Sequence, residues 1–332
     1  MPPSISVLGA GSWGTALALL AARNGCDTIL WGHNPQHVAV LQQAAENQRY
    51  LPGYPFPRNL RITADLKEAV TSTSLLLITV PSHAFKNTLL QAKAFLGPSP
   101  QVAWATKGFD PNGGLLLSQV TEEVLGEHVD TAVLAGPTFA REVAADLPTA
   151  ITIASASGLF VTKLTDVLHN QRFRTYTSTD MVGVQVGGAC KNVLAIAAGI
   201  ADGLGFGANT RSALITRGLT EIMRLGIKLG GQSDTFMGLA GLGDMILTCT
   251  DNQSRNRRFG LALGQGVGWR QAIDQINQEV EGISAAREAY RLSRHYQVEM
   301  PITEQVYNVL FQGLDPKQAV NNLLARDKRS EI

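Results

Sequence analysis

The chain predicts a doubly wound α/β domain over residues 1–180 followed by an all-α domain over 181–332, and three observations carry that expectation. Short β-branched runs alternate with Ala-rich or amphipathic stretches up to about residue 178, the pattern of parallel βαβ units. From Thr179 onward the strand signal stops and long helical segments take over. The length of 332 residues with 45% hydrophobic content is too much for one ordinary core and enough for two.

The predicted strands are Ser4–Leu8, Thr28–Trp31, Leu60–Thr63, Leu75–Val80, Val102–Thr106, Thr131–Ala135 and Ala150–Ala154. Between them fall helices over Gly14–Asn24, Pro35–Gln48, Ala84–Phe95, Leu115–Leu125 and Leu159–His169. The second half predicts helices over Met181–Ala201, Arg211–Leu229, Arg257–Leu263, Trp269–Asn277, Gly282–His295, Thr303–Phe311 and Pro316–Leu324, the last opened by Asp315-Pro316. No Ser/Gly/Pro-rich spacer marks the boundary near residue 180, which places it at the approach to a long helix.

The net charge of +1 with interspersed signs argues against a protein that coats nucleic acid. Cys26, Cys190 and Cys249 are widely spaced and form no CxxC pair, a usage that suits buried thiols in a reducing, cytoplasmic compartment. No basic flank with an apolar signal core opens the chain. The most apolar stretch, Val193 to Ile200, is bounded by Lys191 and Asp202 and falls short of the ~20 residues of a span. No stable membrane insertion is expected.

Gly9-Ala10-Gly11-Ser12-Trp13-Gly14 follows the first strand and opens the first helix, the setting in which GxGxxG signals a Rossmann-type dinucleotide site. Gly9 permits the tight turn, Gly11 lets backbone approach a pyrophosphate, and Gly14 lets helix and strand pack. The second strand then ends in Gly32-His33-Asn34, and no acid follows until Glu46. The carboxylate that would hold the ribose hydroxyls of NAD is missing. His33 is either a surface residue or a donor to a 2′-phosphate, and the pattern favours NADPH over NADH with dual use allowed. His33 and His37 are four apart, but Pro35 breaks a common helical face and no third ligand is in view, so no metal is expected.

Ligands in such sheets sit beyond the carboxyl ends of the parallel strands. That edge collects Ser12, Trp13, His33, Pro81, Ser82, Thr106-Lys107-Gly108 and Gly136-Pro137-Thr138. Lys107 there is either a solvated loop lysine or a cation facing an anionic or carbonyl-bearing ligand. On the first long helix of the second half, Lys191 is the only charge among small and apolar residues, with Gly187, Gly188 and Ala195 on its face. It is either a snorkelling lysine or a desolvated general acid/base. The glycines of Gly238–Gly243 imply backbone in close contact with a neighbour or ligand. Ser254-Arg255-Asn256 offers hydroxyl, guanidinium and amide donors suited to a phosphate.

Over essentially its whole length the chain resembles the bacterial NAD(P)-dependent glycerol-3-phosphate dehydrogenases. The blocks that carry the resemblance include GAGSWGTALA (9–18), VPSHAF (80–85), TKGF (106–109), AGPTFAREVA (135–144), GACKNVLAIAAGIADGLGFGANT (188–210), TFMGLAGLGDMILTCT (235–250) and SRNRRFG (254–260). The resemblance implies that Ser12, Trp13, His33, Lys107, Ala140, Arg255 and Glu281 contact the dinucleotide. It likewise implies that Lys107, Gly136, Thr138, Lys191, Asp244, Ser254, Arg255 and Asn256 hold glycerol phosphate. Lys191 aligns with the proton-transferring lysine, Lys107 would steady the charge that develops on oxygen, and Asp244 would orient Lys191 or a substrate hydroxyl. The implied reaction interconverts dihydroxyacetone phosphate and sn-glycerol 3-phosphate for phospholipid synthesis, in a homodimer. Two rival readings are a lysine-using dehydrogenase of a hydroxy acid or sugar acid built on the same two-domain plan and, from another class, a regulator that binds the nicotinamide without turning it over. A hydroxy-acid dehydrogenase would want carboxylate recognition where SRNRR stands, and a redox-sensing regulator has no need of Lys107, Lys191 and Asp244.

Overall fold

The apolar runs of the first half become one eight-stranded sheet in a computed structural model of the chain, which describes residues 3–73 and 75–325. In chain order the elements are β1 (Ser4–Leu8), α1 (Ser12–Arg23), β2 (Asp27–Trp31), α2 (Pro35–Ala44), β3 (Glu46–Asn47), β4 (Leu51–Pro55), β5 (Leu60–Thr63), α3 (Leu66–Thr71), β6 (Leu75–Ile78) and α4 (Ser82–Lys93). There follow β7 (Gln101–Trp104), α5 (Leu117–Leu125), β8 (Asp130–Ala135), α6 (Ala140–Ala144), β9 (Thr149–Ala154), α7 (Gly158–Leu168) and β10 (Phe173–Ser178). Strands β6 and β7 are buried at every position, because helices cover both faces of a parallel sheet and leave no polar side. Helices α1, α6 and α7 share one face, and α3, α4 and α5 the other.

The strand order is β10-β9-β8-β7-β6-β1-β2-β5. The chain moves outward from β1 to β2 and β5, then returns to place β6 on the other side of β1. This reversal is the switch point at which α/β sheets bind ligands, and it gives a Rossmann-type unit.

Three expectations need correction. The sheet is not wholly parallel, since β9 runs antiparallel to β8; the five-residue α6 and its loop turn the chain back rather than carry it across. Pro35–Gln48 is not one helix: Ala45 adopts a left-handed φ of 50° after Ala44, and the chain enters the β3–β4 hairpin. β10 was not expected, because its alternation of exposed polar residues around Phe173 and Thr175 lacks an apolar run.

Two units partition the chain: one runs to Gln185 with 111–114 excepted, the other holds 111–114 and everything from Val186, so the division falls inside the helix that starts at Met181. The second unit continues as α8 (Met181–Gly203), α9 (Ala208–Lys228), α10 (Ser233–Met237), a π-helical turn (Leu239–Gly243), α11 (Asp244–Thr250) and α12 (Arg255–Gly264). It ends with α13 (Trp269–Ile276), α14 (Glu281–His295), α15 (Pro301–Phe311) and α16 (Pro316–Leu324). Helix α8 is long and apolar enough to cross a membrane by length and composition, yet its most apolar 18-residue window is wholly buried. Each of its enclosed Val, Leu and Ile side chains contributes about 1.5–3 kcal/mol.

Helix α12 packs on α8 with backbone almost touching backbone. A Cβ added to Gly199 would lie 2.1 Å from the Arg257 carbonyl oxygen, and one on Gly260 would lie 2.1 Å from that of Ile196. Neither carbonyl has anywhere to go. Gly260→Ala should therefore cost ~1–3 kcal/mol by overpacking and lower the Tm in thermal unfolding. Gly268→Ala, with nothing within 4 Å of the new Cβ, should leave the Tm unchanged. Equal melting of the two variants would show that the helices separate at no cost.

Candidate active site

The glycine turn is built as its sequence requires. Gly9 holds φ +130°, where a Cβ would sit 2.8 Å from Thr79 Oγ1, and its N–H donates to the Trp31 carbonyl at 2.9 Å. Thr79, just beyond β6, donates to the carbonyls of Leu8 and Gly9 at 3.2 and 3.1 Å and so closes the switch point. A Cβ on Gly14 would lie 1.9 Å from the Gly9 carbonyl oxygen, whereas Gly11 has nothing within 4 Å. The first position needs glycine for its turn, the third for packing, and the second faces open space.

These residues fit a dinucleotide. Gly11 caps α1 without any side-chain hydrogen bond, so the N–H groups of Ser12 and Trp13 at the helix start suit a pyrophosphate. The buried Nε1 of Trp13 has no hydrogen-bond partner among the described residues, and a buried donor wants one. His33 lies exposed where β2 ends, and Ala140 begins α6 with no side-chain cap before it.

On the same sheet edge, Lys107 follows β7 and donates from Nζ to the Gly136 carbonyl at 3.1 Å. Thr138 donates to that carbonyl at 3.2 Å. Thr106 fixes the loop by donating to the Val80 carbonyl at 2.7 Å. Lys107, Gly136 and Thr138 are thus one cluster, and the ammonium of Lys107 turns back onto the strand ends.

In the helical unit Lys191 is 6% exposed, which removes the snorkelling alternative. Its Nζ pairs with Asp244 Oδ1 and donates to Thr248 Oγ1 at 2.8 Å. Thr248 in turn donates to the Asp244 carbonyl at 2.5 Å. The placement follows from the glycine-dense segment: a Cβ on Gly187 would lie 2.7 Å from the Ala240 carbonyl oxygen, so the π-turn rests directly on α8. Those glycines serve a protein neighbour. The close approach brings Asp244, first residue of α11, against Lys191.

Ser254 caps α12, its hydroxyl oxygen accepting from Arg257 N at 3.2 Å. Asn256 is 9% exposed; it donates from Nδ2 to Asn192 Oδ1 and accepts from Gly282 N, both at 2.9 Å. That last contact brings the start of α14, with Glu281, beside α12. Burial lowers the pKa of Arg255, while the carboxylates of Glu281 and Glu279 oppose the shift, and the guanidinium stays charged at neutral pH. Arg257 holds the segment: its Nε donates to the Cys249 carbonyl at 3.1 Å, its Nη2 to Asp202 Oδ2 at 2.5 Å, and its Nη1 to Asn252 Oδ1. Burial pushes the Cys190 and Cys249 thiols up to about 12, so neither supplies a thiolate nucleophile.

Thr248 and Asn192 are the residues that sequence reasoning missed. Thr248 is four residues after Asp244 and therefore on its helical face, and Asn192 adjoins Lys191; both signals were present.

Profiles of the NAD-dependent glycerol-3-phosphate dehydrogenase N-terminus and C-terminus match residues 4–160 and 180–321. The chain is 58% identical over 328 residues to a Colwellia psychrerythraea protein named glycerol-3-phosphate dehydrogenase (NAD(P)+), covering 98% of each chain. It is 56% identical over 329 residues to a protein of that name from Aeromonas salmonicida, covering 99% of this chain and 98% of the relative. The crystal structure of glycerol-3-phosphate dehydrogenase from Coxiella burnetii is similar at a TM-score of 0.95 and 49% identity, covering 98% of this chain and 99% of that one.

Proposed function

The chain belongs to the NAD-dependent glycerol-3-phosphate dehydrogenase family, an NAD(P)-dependent oxidoreductase, and we propose that it reduces dihydroxyacetone phosphate to sn-glycerol 3-phosphate with NADPH as the favoured coenzyme. The observation that carries the reading is a buried lysine whose ammonium is held by Asp244 and Thr248, in a chain that also builds a complete glycine turn. A bound NADPH supplies the hydride. Lys191 gives its proton to the oxygen of the C2 carbonyl, and it is left neutral beside Asp244 until solvent returns the proton. Lys107, with Gly136 and Thr138, steadies the oxygen as charge develops. Arg255 holds the phosphate, with Ser254 and Asn256 beside it.

Gly9, Gly11, Gly14, Ser12, Trp13, His33, Ala140, Arg255 and Glu281 hold the coenzyme in this reading. Without a carboxylate at the end of β2, nothing there repels a 2′-phosphate. We place the product at the entry to glycerophospholipid synthesis in the cytoplasm and the active form as a homodimer, both on the strength of family membership. Purified protein should consume NADPH in the presence of dihydroxyacetone phosphate and use NADPH at least as well as NADH, followed by loss of nicotinamide absorbance. No turnover with either coenzyme would sink the activity, and a much higher kcat/KM for NADH would sink the preference alone.

A further inference from the structure

The β3–β4 hairpin stands outside the eight-stranded sheet, and the glycine fingerprint by itself gives it no task. Asn47, fully buried, ties it to the turn: Nδ2 donates to the Ala10 carbonyl at 3.1 Å and to Thr15 Oγ1 at 2.8 Å. Its Oδ1 accepts from Tyr50 N at 3.2 Å. Gln48, Arg49 and Tyr50 are therefore fixed beside the loop that receives a dinucleotide.

From there a chain of contacts leads back to the end of β2. The Arg49 guanidinium lies over the Tyr50 ring, 5.0 Å from its centroid. Tyr50 meets His37 edge-on, with centroids 5.4 Å apart. His37 sits in the first turn of α2, its N–H donating to Asn34 Oδ1 at 3.1 Å, immediately after His33. In Rossmann-type units the end of the second strand is where the adenosine ribose lies, and an arginine nearby accommodates a 2′-phosphate. Burial lowers the pKa of His37, and the charges of Arg49 and His33 lower it further, which leaves Arg49 as the permanent cation of the group. The first acid after β2, Glu46, accepts from Gly53 N at 3.3 Å within the hairpin.

We propose that Arg49 is a specificity-determining residue for the coenzyme: together with His33 it takes the 2′-phosphate of the adenosine ribose, and Asn47 positions it against the glycine turn. The inference rests on coenzyme binding at that turn as read above. Arg49 is exposed, so its replacement leaves folding intact. In Arg49→Gln, kcat/KM for NADPH should fall ~10–100-fold, the worth of a charge-assisted hydrogen bond to an anion, through KM rather than kcat. The value for NADH should not change, and Arg49→Lys should restore part of the loss. Adenosine 2′,5′-bisphosphate should weaken as a competitor against the variant, while adenosine 5′-monophosphate keeps its strength. Asn47→Ala should weaken both coenzymes together, because both use the turn it holds. A parallel fall for both coenzymes in Arg49→Gln, or no change for NADPH, overturns the inference. So does a raised KM for dihydroxyacetone phosphate with the coenzyme ratio unmoved, which would give Arg49 to the substrate phosphate. A parent enzyme that prefers NADH would overturn the preference proposed above, yet a loss confined to NADPH in Arg49→Gln would still support this role for Arg49.

Discussion

Lys191→Met in the full chain should lower kcat for reduction of dihydroxyacetone phosphate by ~10²–10⁴-fold, the usual worth of a positioned acid. Methionine keeps roughly the stem volume and removes both proton and charge. The coenzyme Kd should be preserved, since Lys191 is not among the residues read above as holding the coenzyme and the glycine turn is untouched. The variant should also melt earlier, because Asp244, 1% exposed, loses the cation that pairs with it. Breaking a buried pair from one side costs ~3–5 kcal/mol. Lys191→Met/Asp244→Asn should then recover much of the Tm and none of the activity, since residues acting as a unit are not additive. Near-normal turnover by a folded Lys191→Met protein would return Lys191 to a structural role and leave Lys107 as the leading proton donor.

How far the fold shows in the sequence follows from burial. Leu75–Ile78 is buried at every position, so its apolar run is continuous and unmistakable, and Ser4–Leu8, buried past Ser4, still shows Ile5, Val7 and Leu8 around a single interior serine. β10 lies at the sheet edge with Arg174, Tyr176 and Thr177 exposed, and an edge strand with a wet face resembles a loop. The glycines of 238–243 imply close backbone contact without saying with what, and the π-turn meets its neighbour from far along the chain: a Cβ on Gly187 of α8 would lie 2.7 Å from the Ala240 carbonyl oxygen. Tertiary contact there overrides a low helix propensity.

The candidate site divides in the same way. A lone lysine on an apolar helix marks Lys191, because a buried charge must be paired. The partner lies 53 residues on, and no local periodicity spans that distance; only the resemblance to a family pointed to Asp244. Asn47 and Arg49 were invisible because the hairpin that carries them begins where a helix was expected to continue. One left-handed residue, Ala45, separates the two readings.

Asp244→Asn should shift the pH dependence of catalysis in a direction that distinguishes a charge partner from a packing residue. The amide keeps the shape and an oxygen acceptor for Lys191 Nζ but deletes the negative charge. Reduction requires the ammonium form of Lys191. With its counter-charge gone, that form is less favoured, so the proton is lost at lower pH and the alkaline limb of kcat/KM for reduction moves toward acid. On the alkaline side reduction should therefore fall at a pH where the parent still turns over. Oxidation of sn-glycerol 3-phosphate requires the neutral amine, and its acid limb should move the same way, so that oxidation persists to lower pH than in the parent. Thr248 still donates its hydroxyl to the carbonyl of residue 244, which keeps α11 in register. Measured pH profiles in both directions decide the matter: a parallel acidward shift identifies Asp244 as the charge that holds the Lys191 proton, and unmoved limbs with a uniformly lower kcat would reduce it to a positioning contact.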